Sequence, residues 1–257
     1  MIKAVFFDVD GTLVSHKSKS VPESARVAVE KLREKGIKVL LCTGRHIHEL
    51  KNMPTSGMEF DGYVILNGQI GLDSKRNVIY SNPFEKEDLD GLVDIFQKQE
   101  YPFVLVNADG HYVNFVNEFV EVAMASVSTP VPPIRKYEGE ELYQATVFVL
   151  PEDESEFEKK LPKGCKLARW GYYGADIISA KGGKAKGIEF FTKAFGILPE
   201  EIMAFGDSYN DLDMIEHAGI GVAMGNAVDC LKEIADYVTT DVDDYGILNA
   251  LQKYEIL

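Results

Sequence analysis

Short solid apolar runs alternate along this chain with longer segments whose apolar positions recur every three or four residues. Ile2 to Phe7 is a run of the first kind. VPESARVAVEKLREKG (21–36) is of the second kind, opening on Pro and Glu, spacing its apolar residues helically and closing on Gly36. IKVLLCT (37–43) predicts a buried strand, GRHIHELKNM (44–53) a helix and GYVILNG (62–68) another buried strand. Strand, helix, strand, helix, strand implies a doubly wound α/β layer with a parallel sheet and helices on its faces. The rhythm returns near the C-terminus. A helix from Lys186 to Phe195 precedes strand EIMAFGD (201–207), helix NDLDMIEHA (210–218), strand GIGVAM (219–224), helix AVDCLKEIA (227–235), strand DYVTT (236–240) and helix YGILNALQKY (245–254).

Between these stretches the strands alternate instead of running solidly apolar. YPFVLVNADGHYVNFV (101–116) predicts a hairpin about Asp109-Gly110, and QATVFVL (144–150), CKLARW (165–170) and ADIISA (175–180) predict further strands. Helical patterns lie at 85–99, 117–127 and 152–161, and STPVPP (128–133) is a loop. The pattern divides the chain into a core of 1–82 with 183–257 and an inserted α+β domain of 83–182, an antiparallel sheet with helices on one side.

Composition narrows the partners. In 257 residues, 41 acidic and 27 basic side chains leave a formal charge of −14, with no basic stripe, so a nucleic-acid partner is not expected. An acidic protein that handles phosphate needs local positive charge, from a metal or a lysine. Three scattered cysteines, Cys42, Cys165 and Cys230, suggest neither a disulfide framework nor a zinc site and fit a reducing cytoplasm. No apolar run approaches the roughly 18 residues that a membrane span requires.

Ligands of open parallel sheets gather where the strands end. Here those ends carry Asp8-Val9-Asp10-Gly11-Thr12, Thr43-Gly44-Arg45 and Gly206-Asp207-Ser208-Tyr209-Asn210-Asp211, with a lysine-bearing loop, AKGGKAKGI (180–188), entering a helix. If Asp8, Asp10 and Asp207 converge, each close like-charge pair costs on the order of 4 kcal/mol at 4 Å and an effective dielectric of 20. A divalent cation held by oxygen ligands, Mg²⁺, removes that conflict. One aspartate can then take a phosphoryl group as nucleophile while another protonates the leaving alcohol. The Thr43 hydroxyl and the free N–H groups after Thr43-Gly44 suit phosphate oxygens.

These four motifs, in this order, resemble those of the haloacid dehalogenase superfamily of phosphatases. AGIGVAMGNA (218–227) and the insertion of about a hundred residues look like the Cof-type sugar-phosphate phosphatases with a type IIB cap. The resemblance implies a phosphomonoesterase acting on small phosphate esters, with Asp8 as nucleophile and Asp10 as acid/base. It implies Mg²⁺ on Asp8, Asp207 and the Asp10 carbonyl, with Asp211 behind them. Thr43 with Gly44, and Lys184, would hold the transferring group, and Arg45 and Asn210 would line the substrate entrance with Asn67-Gly68 nearby. Lys184 is favoured over Lys186 by its spacing to Gly187-Ile188. A monomer or small homo-oligomer in the cytoplasm is expected.

Other readings compete with these. Counting from Asp8 or Asp207 puts neither Gly at position 6 nor Glu at position 12, against an EF-hand. GIGVAMG (219–225) has the wrong spacing for a dinucleotide fingerprint and runs from helix into strand, so it reads as a turn. His46 and His48, two apart on a helix, would point about 200° apart, and all five histidines are read as non-catalytic. Cys42 is read as a packed thiol. Trp170, Tyr172 and Tyr173 either fill a core or stack on a sugar. A phosphosugar mutase or phosphotransferase would use the same site, a receiver-type module would be phosphorylated without turnover, and a sugar-binding protein would release no phosphate.

Overall fold

The computed structural model describes residues 1–50, 53–127 and 129–257. In chain order the elements begin with β1 (Ala4–Phe7), α1 (Glu23–Glu34), β2 (Lys38–Cys42), α2 (Ile47–Leu50), β3 (Gly62–Ile65), β4 (Ile70–Asp73) and β5 (Val78–Ser81). There follow α3 (Lys86–Lys98), β6 (Phe103–Asn107), β7 (Gly110–Val113), α4 (Glu118–Ser126), β8 (Gln144–Val147), α5 (Glu154–Glu158), β9 (Cys165–Arg169) and β10 (Ala175–Ser179). The chain ends with α6 (Lys184–Phe195), β11 (Ile202–Gly206), α7 (Leu212–His217), β12 (Ile220–Ala223), α8 (Asp229–Ile234), β13 (Tyr237–Val238) and α9 (Gly246–Lys253). Two compact units result: Met1–Ser81 with Gly183–Leu257, and Asn82–Gly182.

In the first unit an eight-stranded sheet runs β13-β12-β11-β1-β2-β3-β4-β5. The strands from β13 to β3 pair in parallel, and strand order reverses across the β11/β1 boundary, where ligands of such sheets bind. β1 is buried at all four positions because it lies between β11 and β2. Ala4, Phe6, Leu40, Cys42, Val64 and Ala204 share a core with Ile188 and Phe191 of α6, Met214 and Ile215 of α7 and Leu231 of α8. Helix α1 packs against β2 and α9 with Ala25, Ala28, Val29 and Leu32 inward, spaced for one helix face.

The second unit is a five-stranded antiparallel sheet, β7-β6-β8-β10-β9. Leu92, Ile95 and Phe96 of α3 and Phe157 of α5 share a core with Phe103, Leu105, Ala145, Val147 and Ile177, alternate residues of their strands. The predicted hairpin at Asp109-Gly110 forms between β6 and β7.

Some expectations are corrected. β4 and β5 extend the sheet as an antiparallel edge that the strand-helix rhythm did not signal. The apolar run GYVILNG does not continue as a strand beyond Ile65. Leu66, Asn67 and Gly68 take φ of 50°, 50° and 85°, and left-handed backbone turns the chain out of the sheet. The two non-glycine residues cost on the order of 1–3 kcal/mol each in that conformation. The helix predicted over 44–53 is described only at Ile47–Leu50, with Lys51 and Asn52 outside the described residues, as is Ser128 of the STPVPP loop. Helix α6 starts two residues earlier than its apolar spacing suggested, at Lys184, with Gly183 in the capping position. No helix among the described residues is long and apolar enough to cross a membrane.

Phe191 is the keystone of α6 on the sheet. It is 1 % exposed, and its ring lies so close to Gly62 that a Cβ there would fall 2.5 Å from it. Phe191→Ala should lower the stability of the first unit by about 3–5 kcal/mol, read from urea unfolding, because the cavity lies against strand backbone that has little room to collapse.

Candidate active site

Strand register brings the predicted residues together. Phe7 pairs with Leu41 on one side and Phe205 on the other, so Asp8, Thr43 and Asp207 follow the ends of three adjacent parallel strands. Lys184 reaches in from the first residue of α6. Its ammonium, fully buried, donates to Asp8 Oδ1 at 2.6 Å and to Asp211 Oδ1 at 2.5 Å. Lys186 points elsewhere and pairs with Glu189 at the surface, and Lys181 pairs with Glu85 in the second unit. Of these lysines it is Lys184, the one favoured by its spacing, that meets Asp8 and Asp211.

Asp211 is saturated. While Oδ1 takes Lys184, Oδ2 accepts the Asp207 and Ser208 amides, each at 2.9 Å. Asp207 is less so. Its Oδ1 accepts the Thr12 hydroxyl at 3.0 Å, whereas its Oδ2, like Oδ2 of Asp8, accepts no hydrogen bond among the described residues. Asp8, Asp207 and Asp211 each offer an oxygen within 4.8 Å of the others, and all three are buried. Gly11 permits this approach. At φ +87° it turns the loop, and a Cβ there would lie 2.2 Å from Asp207 Oδ2.

Asp10 has a different partner. Arg45 forks onto it, Nε to Oδ2 at 2.6 Å and Nη2 to Oδ1 at 2.8 Å, and Nη1 reaches Glu49 at 3.3 Å. The fork-to-fork geometry fixes the carboxylate plane as a lysine would not. Thr43 is 1 % exposed, and its hydroxyl accepts the Arg45 amide at 3.2 Å across the intervening Gly44. Asn210 donates to Asn67 Oδ1 at 3.0 Å.

The structure also gives partners to residues that had been assigned no role. Thr12 holds Asp207, and Asn226 donates to the Gly11 carbonyl at 2.8 Å while accepting the Val242 amide. A hydroxyl two residues after Asp10 was a visible signal for the first. Asn226 follows a Gly-rich turn that read as merely structural. The histidine geometry is corrected: His46 precedes α2, and its Nδ1 accepts the His48 amide at 3.2 Å. The two rings therefore lie 4.9 Å apart rather than on opposite faces. Cys42 is a buried thiol among three free cysteines.

Burial first, and the neighbouring acids after it, raise the carboxyl pKa values of the site. Burial pushes the Asp8 carboxyl up to about 7 against the opposing pull of Lys184, and Asp211 and Asp10 add to the rise. Burial, then Asp8 and Asp211, push Asp207 well above the usual carboxylate range. Burial also opposes the Lys184 charge, yet Asp211 and Asp8 together hold its pKa well above the ordinary lysine value.

The family follows. Residues 5–251 match the model of the haloacid dehalogenase-like hydrolases. The chain is 35% identical over 261 residues to YkrA of Bacillus subtilis (strain 168), covering 99% of this chain and 98% of that protein. It is 28% identical over 265 residues to YitU of the same organism, a 5-amino-6-(5-phospho-D-ribitylamino)uracil phosphatase, covering 97% and 96%. The solved structure of the subclass IIB sugar phosphatase BT4131 superposes with a TM-score of 0.89 at 35% identity, covering 99% of this chain and 100% of that one. The chain belongs to the haloacid dehalogenase-like hydrolase family and is an enzyme of its phosphatase class.

Raised carboxyl pKa values carry a stability consequence with a definite sign. Folded Asp8 retains its proton between pH 3.8 and about 7, where the unfolded chain has released it, and Asp207 does so over a range that starts at 3.8, so the metal-free fold loses stability as pH rises through that range. Asp207→Asn should therefore raise the melting temperature of the metal-free protein, by more at pH 7.5 than at pH 5. A gain that is flat or shrinks with pH would contradict this account of the cluster.

Proposed function

We propose that this protein is a Mg²⁺-dependent phosphatase of small phosphorylated metabolites, sugar phosphates foremost, that works through an aspartyl-phosphate on Asp8. One observation carries the reading: a buried lysine bridges Asp8 and Asp211, and Asp8, Asp207 and Asp211 each bring a carboxylate oxygen within 4.8 Å of the others. The chemistry is assigned to the first unit, and the second is read as the cap insertion. The sugar-phosphate preference is supported by BT4131, itself a sugar phosphatase, and YitU motivates testing a phosphoribityl ester as well.

The donor set fits the ion. It consists of oxygens only, in a buried acidic cluster whose charges conflict, as the raised Asp8 and Asp207 pKa values attest. Asp8, Asp207 and the Asp10 main-chain carbonyl would hold Mg²⁺, with Asp211 occupied in fixing Lys184 and the Asp207 and Ser208 amides. Bound there, the ion offsets the negative charge of the carboxylates and of the phosphoryl oxygens.

The residues of the chain supply the rest. An Asp8 oxygen forms a bond to phosphorus as the bond to the leaving oxygen breaks, and Asp10 gives its proton to that oxygen. Asp10, now a base, takes a proton from water as the water oxygen attacks the acyl phosphate, which releases phosphate and restores both carboxyl groups. Lys184 and Thr43 hold the phosphoryl oxygens. Both Asp10 oxygens accept from Arg45 in this structure, so Arg45 must release one of them before Asp10 can take up the proton that it donates, while its hold on the other orients the carboxyl group.

A phosphate-release screen over hexose, pentose, triose and ribityl phosphates, with and without Mg²⁺, tests the reading. Turnover should require the ion, and Asp8→Asn should lower it by about 10³-fold or more while the far-UV circular dichroism stays unchanged. Near-normal hydrolysis by that variant would sink the assignment of the nucleophile. Transfer to excess sugar in place of water would instead mark a phosphotransferase.

A further inference from the structure

The turn after β3 does more than leave the sheet. It holds three residues in left-handed backbone, one of them a leucine, and both Leu66 and Asn67 are 1 % exposed. A leucine has no side-chain hydrogen bond to offset that conformation, so it persists because its surroundings fix it, and such backbone clusters at functional sites. The surroundings here are the loops of the active site. The Leu66 amide donates to the Arg45 carbonyl at 3.2 Å and the Asn67 amide to the Thr43 carbonyl at 3.0 Å. Gly68 lies so close to the start of α6 that a Cβ would sit 1.9 Å from the Gly183 carbonyl oxygen. The Asn67 side chain accepts from Asn210 at 3.0 Å, one residue before the Asp211 that holds Lys184.

The backbone of this turn requires only a residue that tolerates positive φ, which glycine does best. Asparagine tolerates that backbone too, and its carboxamide is here in addition buried against Asn210, a polar residue of the loop after β11. Resting on the phosphatase reading above, we propose that Asn67 is a positioning residue of the active site, fixing Asn210 in the orientation in which it meets the substrate.

Asn67→Gly separates the two roles, because it preserves the backbone and removes the carboxamide. If Asn67 acts through Asn210, then Asn67→Gly should raise KM for the best phosphate ester of the screen about tenfold with kcat within about twofold, the pattern of lost uniform binding. Asn210→Ala should do the same. The double variant should be no worse than Asn210→Ala alone, since the two residues would form one unit. Melting temperatures should stay within a few degrees of wild type. An unchanged KM in Asn67→Gly, losses that multiply in the double variant, or a fall in kcat that tracks a fall in melting temperature would each overturn the proposal. The phosphatase reading fails separately, when Asp8→Asn keeps its turnover, and the coupling of Asn67 to Asn210 is measured on the same esters in either case.

Discussion

The site is organised around a buried ammonium. Lys184 has no solvent exposure and two carboxylate partners, and an isolated charge at that depth would cost far more than the fold's net stability. Neither carboxylate would be tolerable there without it. The three charges hold together three segments distant in sequence, the end of β1, the start of α6 and the loop after β11. Removing one member of such a buried set typically costs about 3–5 kcal/mol because the remaining charges lose their partner. This triad is also what makes the neighbouring acids chemically useful. It leaves one Asp8 oxygen engaged and the other open.

Such proximity is possible only where a backbone meets a side chain or another backbone with no Cβ between. Gly11 lets the loop after β1 fold onto Asp207, and Gly68 lets the turn after β3 settle on Gly183. The strand register then sets the spacing, since Phe7 aligned with Leu41 and Phe205 places the chain ends at one level. Sheet pairing thus fixes positions to within a residue, and the side-chain hydrogen bonds fix them further.

How much of this was legible in the sequence depends on the range of the signal. The parallel strands were legible because burial on both faces produces solid apolar runs, and the ordered motifs at their ends pointed to Asp8, Asp207 and Lys184. The edge strands β4 and β5 were not. Val78 and Ile79 are exposed, and Gly71 interrupts β4, so neither strand carries the pattern of a buried one. The turn at Leu66–Gly68 was invisible because Leu66 continues an apolar run and only tertiary contacts force its left-handed backbone. The partnership of Arg45 with Asp10 was equally hidden. An arginine at a strand end beside phosphate-handling residues suggests a ligand contact, and only coordinates show its fork on a carboxylate.

The four acids illustrate how one side-chain type is sorted into different tasks by its partners. Asp211, with both oxygens taken as acceptors, anchors Lys184 and two amides. Asp10 is clamped by a guanidinium near the surface, which sets its plane. Asp8 and Asp207 each keep an unbonded oxygen, and burial raises the pKa of both. An incompletely satisfied buried carboxylate is a liability in a structural role. Its persistence here is intelligible as the demand of a partner from outside the chain, and the same reasoning gives Asp211 a structural part, while the proposed mechanism gives the reactive part to Asp8.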